Sequence, residues 1–138
     1  MDELFEIVDF ASVGSNDLLQ FLTACDRGNM KLSGRFDSLT KANMSALKSI
    51  VDAGAKAGKT VTLCGEMGGR PIEALALLGI GYRSLSMNPS SIGPVKAAVL
   101  ETNLETLRAE VEAFMSEMNG ETLRERLTRF AITNDIPL

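Results

Sequence analysis

Short apolar runs alternate with amphipathic stretches as far as Leu100, and that alternation constrains the fold more than any other feature of the chain. Glu6 to Val13 (EIVDFASV) reads as a buried strand that stops at Gly14. Ser15 or Asn16 then caps a helix running through Cys25, which Gly28-Asn29 ends. Met30 to Asp37 is a polar loop. Ser38-Leu39-Thr40 leads into a helix over Lys41 to Ala57, with Met44, Leu47, Ile50, Val51 and Gly54 on one face. Thr60 to Leu63 is the second strand, and Pro71 opens a helix through Leu78 that Gly79 and Gly81 end. Tyr82 to Met87 is a third strand, and Ser90-Ser91 caps a helix from Ile92 to Leu100. A β-α-β-α-β-α order implies an α/β fold with a parallel sheet and right-handed crossovers.

Beyond Leu100 the pattern changes. Asn103 to Met118 and Glu121 to Phe130 read as two amphipathic helices split by Asn119-Gly120. The first carries Leu104, Leu107, Val111, Phe114, Met115 and Met118 on its apolar side, and the second carries Leu123, Leu127 and Phe130. Three strands are too few for a closed α/β domain, because a parallel sheet needs both faces and both edges covered. The chain is therefore expected to be a piece of a larger barrel or sheet, or to complete itself by association. The early first strand, with no element expected before it, favours a piece. Residues 1–138 are read as one partial domain, with βα units over 1–100 and C-terminal helices over 101–138.

Composition excludes several functional classes. A net charge of −4 offers no bulk basic signal for nucleic acid. No apolar run reaches the roughly 20 residues a membrane helix needs, and the Met-Asp-Glu-Leu-Phe-Glu start lacks the basic region of a signal peptide. The two cysteines, Cys25 and Cys64, show no disulfide spacing, which suits a reducing, cytoplasmic setting.

Chemistry-bearing residues gather in two segments, Ser12 to Asn29 (SVGSNDLLQFLTACDRGN) and Val61 to Pro71 (VTLCGEMGGRP). The first strand is followed by Gly14-Ser15-Asn16-Asp17, with Arg27 about three helical turns further on. The second ends in Cys64-Gly65-Glu66. An acid, an amide and a thiol at strand ends are how α/β enzymes build active sites. Each residue also has a structural reading. Asn16 and Asp17 suit a helix cap and first turn, and Arg27 suits a helix end. Cys64 suits a small buried hydrophobe. Cys25, Met67 and Met87 are assigned to packing, and Gly68-Gly69 permits a tight loop.

These two segments, together with LSMNPSSIGPVK (Leu85 to Lys96), resemble the last three strand–loop motifs of phosphoenolpyruvate-utilising enzymes. That family holds Enzyme I of the phosphotransferase system, pyruvate phosphate dikinase and phosphoenolpyruvate synthase. The resemblance runs from about Val8 to Leu100, and the DRGN and Cys-Gly-Glu-Met-Gly-Gly stretches are nearer Enzyme I. Gly-Gly-Arg-Pro and Leu-Ser-Met are nearest its nitrogen-type form. It implies the final three βα units of a (β/α)8 (TIM) barrel followed by C-terminal helices.

The resemblance also implies roles. Asp17 is a ligand of Mg²⁺, a hard cation that takes few carboxylates beside water and phosphate oxygens. Asn16 and Arg27 bind phosphoenolpyruvate, the arginine through a bidentate fork on phosphate. Gly14 and Ser15 present backbone groups to the substrate. Cys64 protonates the enolate carbon as pyruvate forms, and an ordinary thiol pKa near 8.5 suits that transfer. Glu66 receives no role. The parent transfers phosphate from phosphoenolpyruvate to its own histidine and on to a histidine phosphocarrier protein, and it dimerises through the barrel. This chain has no histidine. The second Mg²⁺ carboxylate and the other phosphate-binding arginines belong to earlier barrel strands, so the chain alone is expected to lack phosphotransferase activity. Two other readings stand beside this one: an interaction or dimerisation module, and a piece of a dikinase or synthase, against which Asp26-Arg27-Gly28-Asn29 argues.

Overall fold

The computed structural model describes residues 1–25, 37–117 and 120–138. Its elements in chain order are α1 (Asp2–Ile7), β1 (Phe10–Gly14), α2 (Ser15–Thr23), α3 (Lys41–Lys56), β2 (Thr60–Cys64) and a 3-10 turn (Glu66–Gly69). Then come α4 (Pro71–Ile80), β3 (Ser84–Ser86), α5 (Pro89–Leu100), α6 (Leu104–Ser116) and α7 (Leu123–Thr133). The expected helix end at Gly28-Asn29, residues 30–36 of the expected loop, and Met118 and Asn119 lie outside the described residues.

The sheet is three-stranded and parallel, in the order β1-β2-β3. Its register aligns Ser12 with Thr62 and Thr62 with Ser84, and two residues on Gly14 with Cys64 and Cys64 with Ser86. Alternation along the strands separates two faces. Ala11, Val13, Val61, Leu63 and Leu85 join the helix-covered core. The opposite face carries Phe10, Ser12, Thr60, Thr62, Cys64, Ser84 and Ser86, small and polar side chains except for Phe10, which is 68% exposed. One continuous core runs from Phe5 through the strands and α4 to Leu127, Phe130 and Ile136. Helix α4 lies at its centre: Ala74, Leu75, Ala76 and Leu77 are all fully buried, because α5, α6 and α7 pack around it.

Several local expectations are corrected, most by a long-range contact. The first element is α1, not a strand, and the strand begins at Phe10 instead of Glu6. Phe5 anchors this helix at 1% exposure. It rests where Gly54 of α3 presents no side chain; a Cβ there would lie 3.3 Å from the Phe5 ring and 2.2 Å from Val61. Gly79 does not end α4. It sits inside the helix at the crossing with α6, where a Cβ would come within 2.6 Å of Val111, and only Gly81, at φ 121°, terminates it. The third strand is three residues long, because Tyr82 turns inward and its hydroxyl donates to the Leu47 carbonyl at 3.2 Å. Helix α5 starts earlier than Ser90-Ser91 would have it. Asn88 caps it, accepting from the Ser90 N–H at 3.1 Å, and Pro89 fills the first helical position. Thr40 caps α3 as its neighbours suggest, and Thr122 forms a capping box with Glu125 at the start of α7.

Candidate functional site

The two chemistry-bearing segments converge at the carboxyl ends of β1 and β2, where Gly14 and Cys64 stand side by side in register. Ser15 and Asn16 do not cap α2. Gly14 occupies the cap position and no side chain caps the helix. Ser15 is instead buried, and its Oγ donates to the Cys64 carbonyl oxygen at 3.0 Å. The Asn16 amide donates to the Glu66 carboxylate. The first turn of α2 is thus tied twice to the end of β2 and the turn that follows it.

Gly65 makes that tie possible. Its φ of 121° lies in the region that favours glycine, and a Cβ there would sit 2.3 Å from Ser15 Oγ and 3.4 Å from Asn16 Oδ1. The adjoining 3-10 turn then approaches α5 closely, because a Cβ on Gly69 would meet Ser91 Oγ at 2.9 Å. Between these loops lies a cleft of about 480 Å³ lined by Asn16, Gly65, Glu66, Gly69, Arg70, Ser86, Met87, Asn88 and Ser91. Met87, expected in the core, is half-buried at this cleft, whereas Met67 is buried as expected.

Asp17 is exposed in the first turn of α2, with its carboxylate folded back toward Gly14. No salt bridge to it is recorded among the described residues. Cys64 is half-buried on the polar face, and Ser12 Oγ donates to its sulfur at 3.6 Å. Arg27 lies outside the described residues. Gly14, Ser15, Asn16, Asp17 and Cys64 therefore gather at one end of the sheet.

Two groups here carried no role in the sequence reading. Glu66 orients the Asn16 amide. Arg70 borders the cleft and pairs at 3.5 Å with Glu73, a carboxylate only 3% exposed. Glu73 also meets Arg124 of α7 at 2.9 Å, and Arg124 grips Asp37 through two bonds of 3.0 and 2.8 Å. The Arg124 guanidinium holds the Asp37 carboxyl below its ordinary value of 3.8, and Asp37 and Glu73 together raise the arginine. The spacing Gly-Gly-Arg-Pro-x-Glu signals a charged first turn of α4, but nothing local names Arg124 as its partner.

A metal fit can be judged from the donors present. Among the described residues no group of three or more His, Cys, Asp or Glu side chains converges. Among the described residues no cation pairs with the Asp17 carboxylate, which suits one ligand of a Mg²⁺ that takes the rest from water and phosphate.

A parallel sheet with polar loops locked together at its strand tips defines an α/β ligand-binding domain with its site at the carboxyl ends. The chain belongs to the PEP-utilising enzyme family, PEP-binding domain, whose family model matches residues 1–104. It is 37% identical over 121 residues to a phosphoenolpyruvate-protein phosphotransferase of Borreliella burgdorferi, a match covering 88% of this chain and 21% of that protein. It is 36% identical over 123 residues to a Salmonella typhimurium protein named phosphoenolpyruvate-dependent phosphotransferase system, covering 89% and 16%. With multiphosphoryl transfer protein 2 of Escherichia coli it shares 35% identity over 139 aligned positions, covering 100% and 17%. The chain thus spans between 16% and 21% of the length of these relatives. No helix among the described residues is long and apolar enough to cross a membrane.

Proposed function

We propose that this chain supplies the last three βα units of a (β/α)8 barrel in a phosphoenolpyruvate-protein phosphotransferase, as one partial domain over residues 1–138. The supporting observation is the convergence of Gly14-Ser15-Asn16-Asp17 with Cys64-Gly65-Glu66 at one end of a parallel sheet, locked by the Ser15–Cys64 bond. The polar open face of the sheet suits a barrel interior. The nitrogen-type subclass rests on Gly-Gly-Arg-Pro and Leu-Ser-Met.

In this reading the Asn16 amide, oriented by Glu66, donates to phosphoenolpyruvate. Asp17 holds Mg²⁺, which when bound neutralises phosphate charge. Arg27 grips the phosphate, and Gly14 and Ser15 frame the site with backbone groups. Transfer of the phosphoryl group leaves the enolate of pyruvate. Cys64 then gives its Sγ proton to the methylene carbon, closing pyruvate's methyl group. The acceptor is a histidine outside this chain, from which the phosphoryl group moves to a histidine phosphocarrier protein. The setting is the cytoplasm and the assembly a homodimer.

Calorimetric titration of Mg²⁺ and phosphoenolpyruvate into the chain tests this, with Asp17→Ala as control. Binding abolished by the substitution is the expected result for a preformed half-site. Binding of equal strength in Asp17→Ala would overturn the role of Asp17. Loss of solvent-hydrogen incorporation into pyruvate in Cys64→Ala of the whole protein tests the thiol separately.

A further inference from the structure

Cys64 sits in an unusual setting on the open face of the sheet. Its in-register neighbour on β1 is Gly14, which has no side chain, so the space beside the sulfur on that strand is filled from one layer below. That layer is a row of hydroxyls, Ser12, Thr62 and Ser84, aligned across all three strands. Thr62 Oγ1 donates to Ser84 Oγ at 3.0 Å, so its proton is committed within the row. Ser12 Oγ reaches diagonally to Cys64 Sγ at 3.6 Å, a distance suited to a hydroxyl donor and a large sulfur acceptor. Charged side chains on the surrounding elements are engaged elsewhere or stand apart. Glu66 accepts from Asn16, Arg70 pairs with Glu73, Asp17 lies back over Gly14, and β1 and β3 place no charge on this face.

We propose that Ser12 is a positioning residue for Cys64: its hydroxyl holds the sulfur in place and stabilises the thiolate left when the thiol proton is given to carbon. The proposal rests on the reading of Cys64 as the acid of the reaction. In that step the S–H bond breaks and a C–H bond forms from the enolate's electron pair. The sulfur keeps its own pair as thiolate, and the carbonyl of pyruvate is restored. Among the described residues Ser12 is the side chain that donates to this sulfur, and an O–H···S⁻ bond is stronger than its neutral counterpart. The contact therefore gains most when the proton has left.

The test is alkylation of Cys64 by iodoacetamide in the full chain, followed peptide by peptide against pH so that Cys25 serves as internal reference. Ser12→Thr and Ser12→Val have the same shape and differ only in the hydroxyl, and both suit a strand. Ser12→Val is expected to slow Cys64 alkylation at pH 7 about threefold and move its profile to higher pH, as loss of a hydrogen bond to a charged group requires. Ser12→Thr should match the parent chain, and Cys25 should be unchanged in both. Equal rates in Val and Thr variants, whether fast or slow, would overturn the proposal, because the hydroxyl would then have no part. Should either variant lose its circular-dichroism signature, Ser12→Ala against the parent chain makes the same comparison with the smallest steric change. The acid role itself is read by hydrogen incorporation in Cys64→Ala, so its failure is distinguishable from a failure at Ser12.

Discussion

Around α7, carboxylates meet guanidinium groups: Asp37 and Glu73 take Arg124, while Glu117 and Glu121 take Arg126 at 2.5 and 3.2 Å, and Glu121 also takes Arg129. At the strand tips, Asp17 and Glu66 have no such partner among the described residues, and Glu66 accepts only from an amide. Both regions carry carboxylates, yet these serve different ends. Glu73 at 3% exposure and Arg126 at 7% have left water, and a buried charge without a counter-charge is destabilising by several kcal/mol. They close the gap between α7, α4 and α6. Asp17 remains in solvent, so its open coordination costs the fold little and leaves oxygens to meet an incoming cation. Where charge is satisfied internally it holds structure together; where it is left open it is available to a ligand.

The comparison can be broken most severely at Gly65, which joins the two tips. Gly65→Ala places a Cβ against Ser15 Oγ at a φ of 121°. It is expected to cost about 3 kcal/mol, read as a lower urea midpoint, and to separate the two loops. A midpoint within error of the parent would mean that the loops are not locked to one another. Next comes Glu73→Gln, which leaves Arg124 with Asp37 alone and removes the charge that meets Arg70. Its expected cost is about 1–2 kcal/mol by urea denaturation, moderated because Arg124 is partly solvated.

Acid sharpens the contrast further. Hydrogen bonds from Arg124 hold Asp37 below its ordinary 3.8, and hydrogen bonds from Arg129 and then Arg126 hold Glu121 below 4.5. A depressed folded-state value means the unfolded chain takes up protons first as pH falls. The stabilisation is therefore complete above the ordinary values and is lost as pH drops through 4.5 and 3.8 toward the folded-state values. Thermal melts from pH 6 to 3 should fall across that window, and Asp37→Asn should flatten part of the slope; an unchanged slope would remove Asp37 from the account. The smallest expected effect on stability is at Asp17. Asp17→Asn should leave the urea midpoint within about 0.5 kcal/mol while weakening Mg²⁺ binding, measured by calorimetry, about tenfold or more. A stability loss like that of Glu73→Gln would erase the distinction between the two regions.

Much of the architecture was legible because it depends on short-range chemistry. Alternation between strand and helix, the Ser38-Leu39-Thr40 lead into α3, Pro71 at a helix start and the terminator at Gly81 all follow from residues within a turn of the feature. The gathering of Asn16, Asp17 and Cys64 was legible because strand ends in a parallel sheet fall on one side. What misled were residues whose meaning lies far along the chain. Gly79 looks like a helix stop and is a contact site for Val111; Glu6 and Ile7 look like the start of the first strand and belong to a helix held by Phe5 on Gly54. Glu66 lay inside the second motif without a role, because its partner Asn16 stands 50 residues away and is met only once the two segments are folded together.

The sequence by itself determined an α/β chain of alternating units, a family resemblance carried by three loop motifs, and a set of polar residues at strand tips. Only the tertiary structure decided that Ser15 binds the Cys64 carbonyl, that Ser12 reaches the Cys64 sulfur, and that Arg124 bridges Asp37 and Glu73. Periodicity and capping are local, so they are written in neighbouring residues. Hydrogen bonds and ion pairs across 49 to 87 residues exist only when packing has brought their partners together.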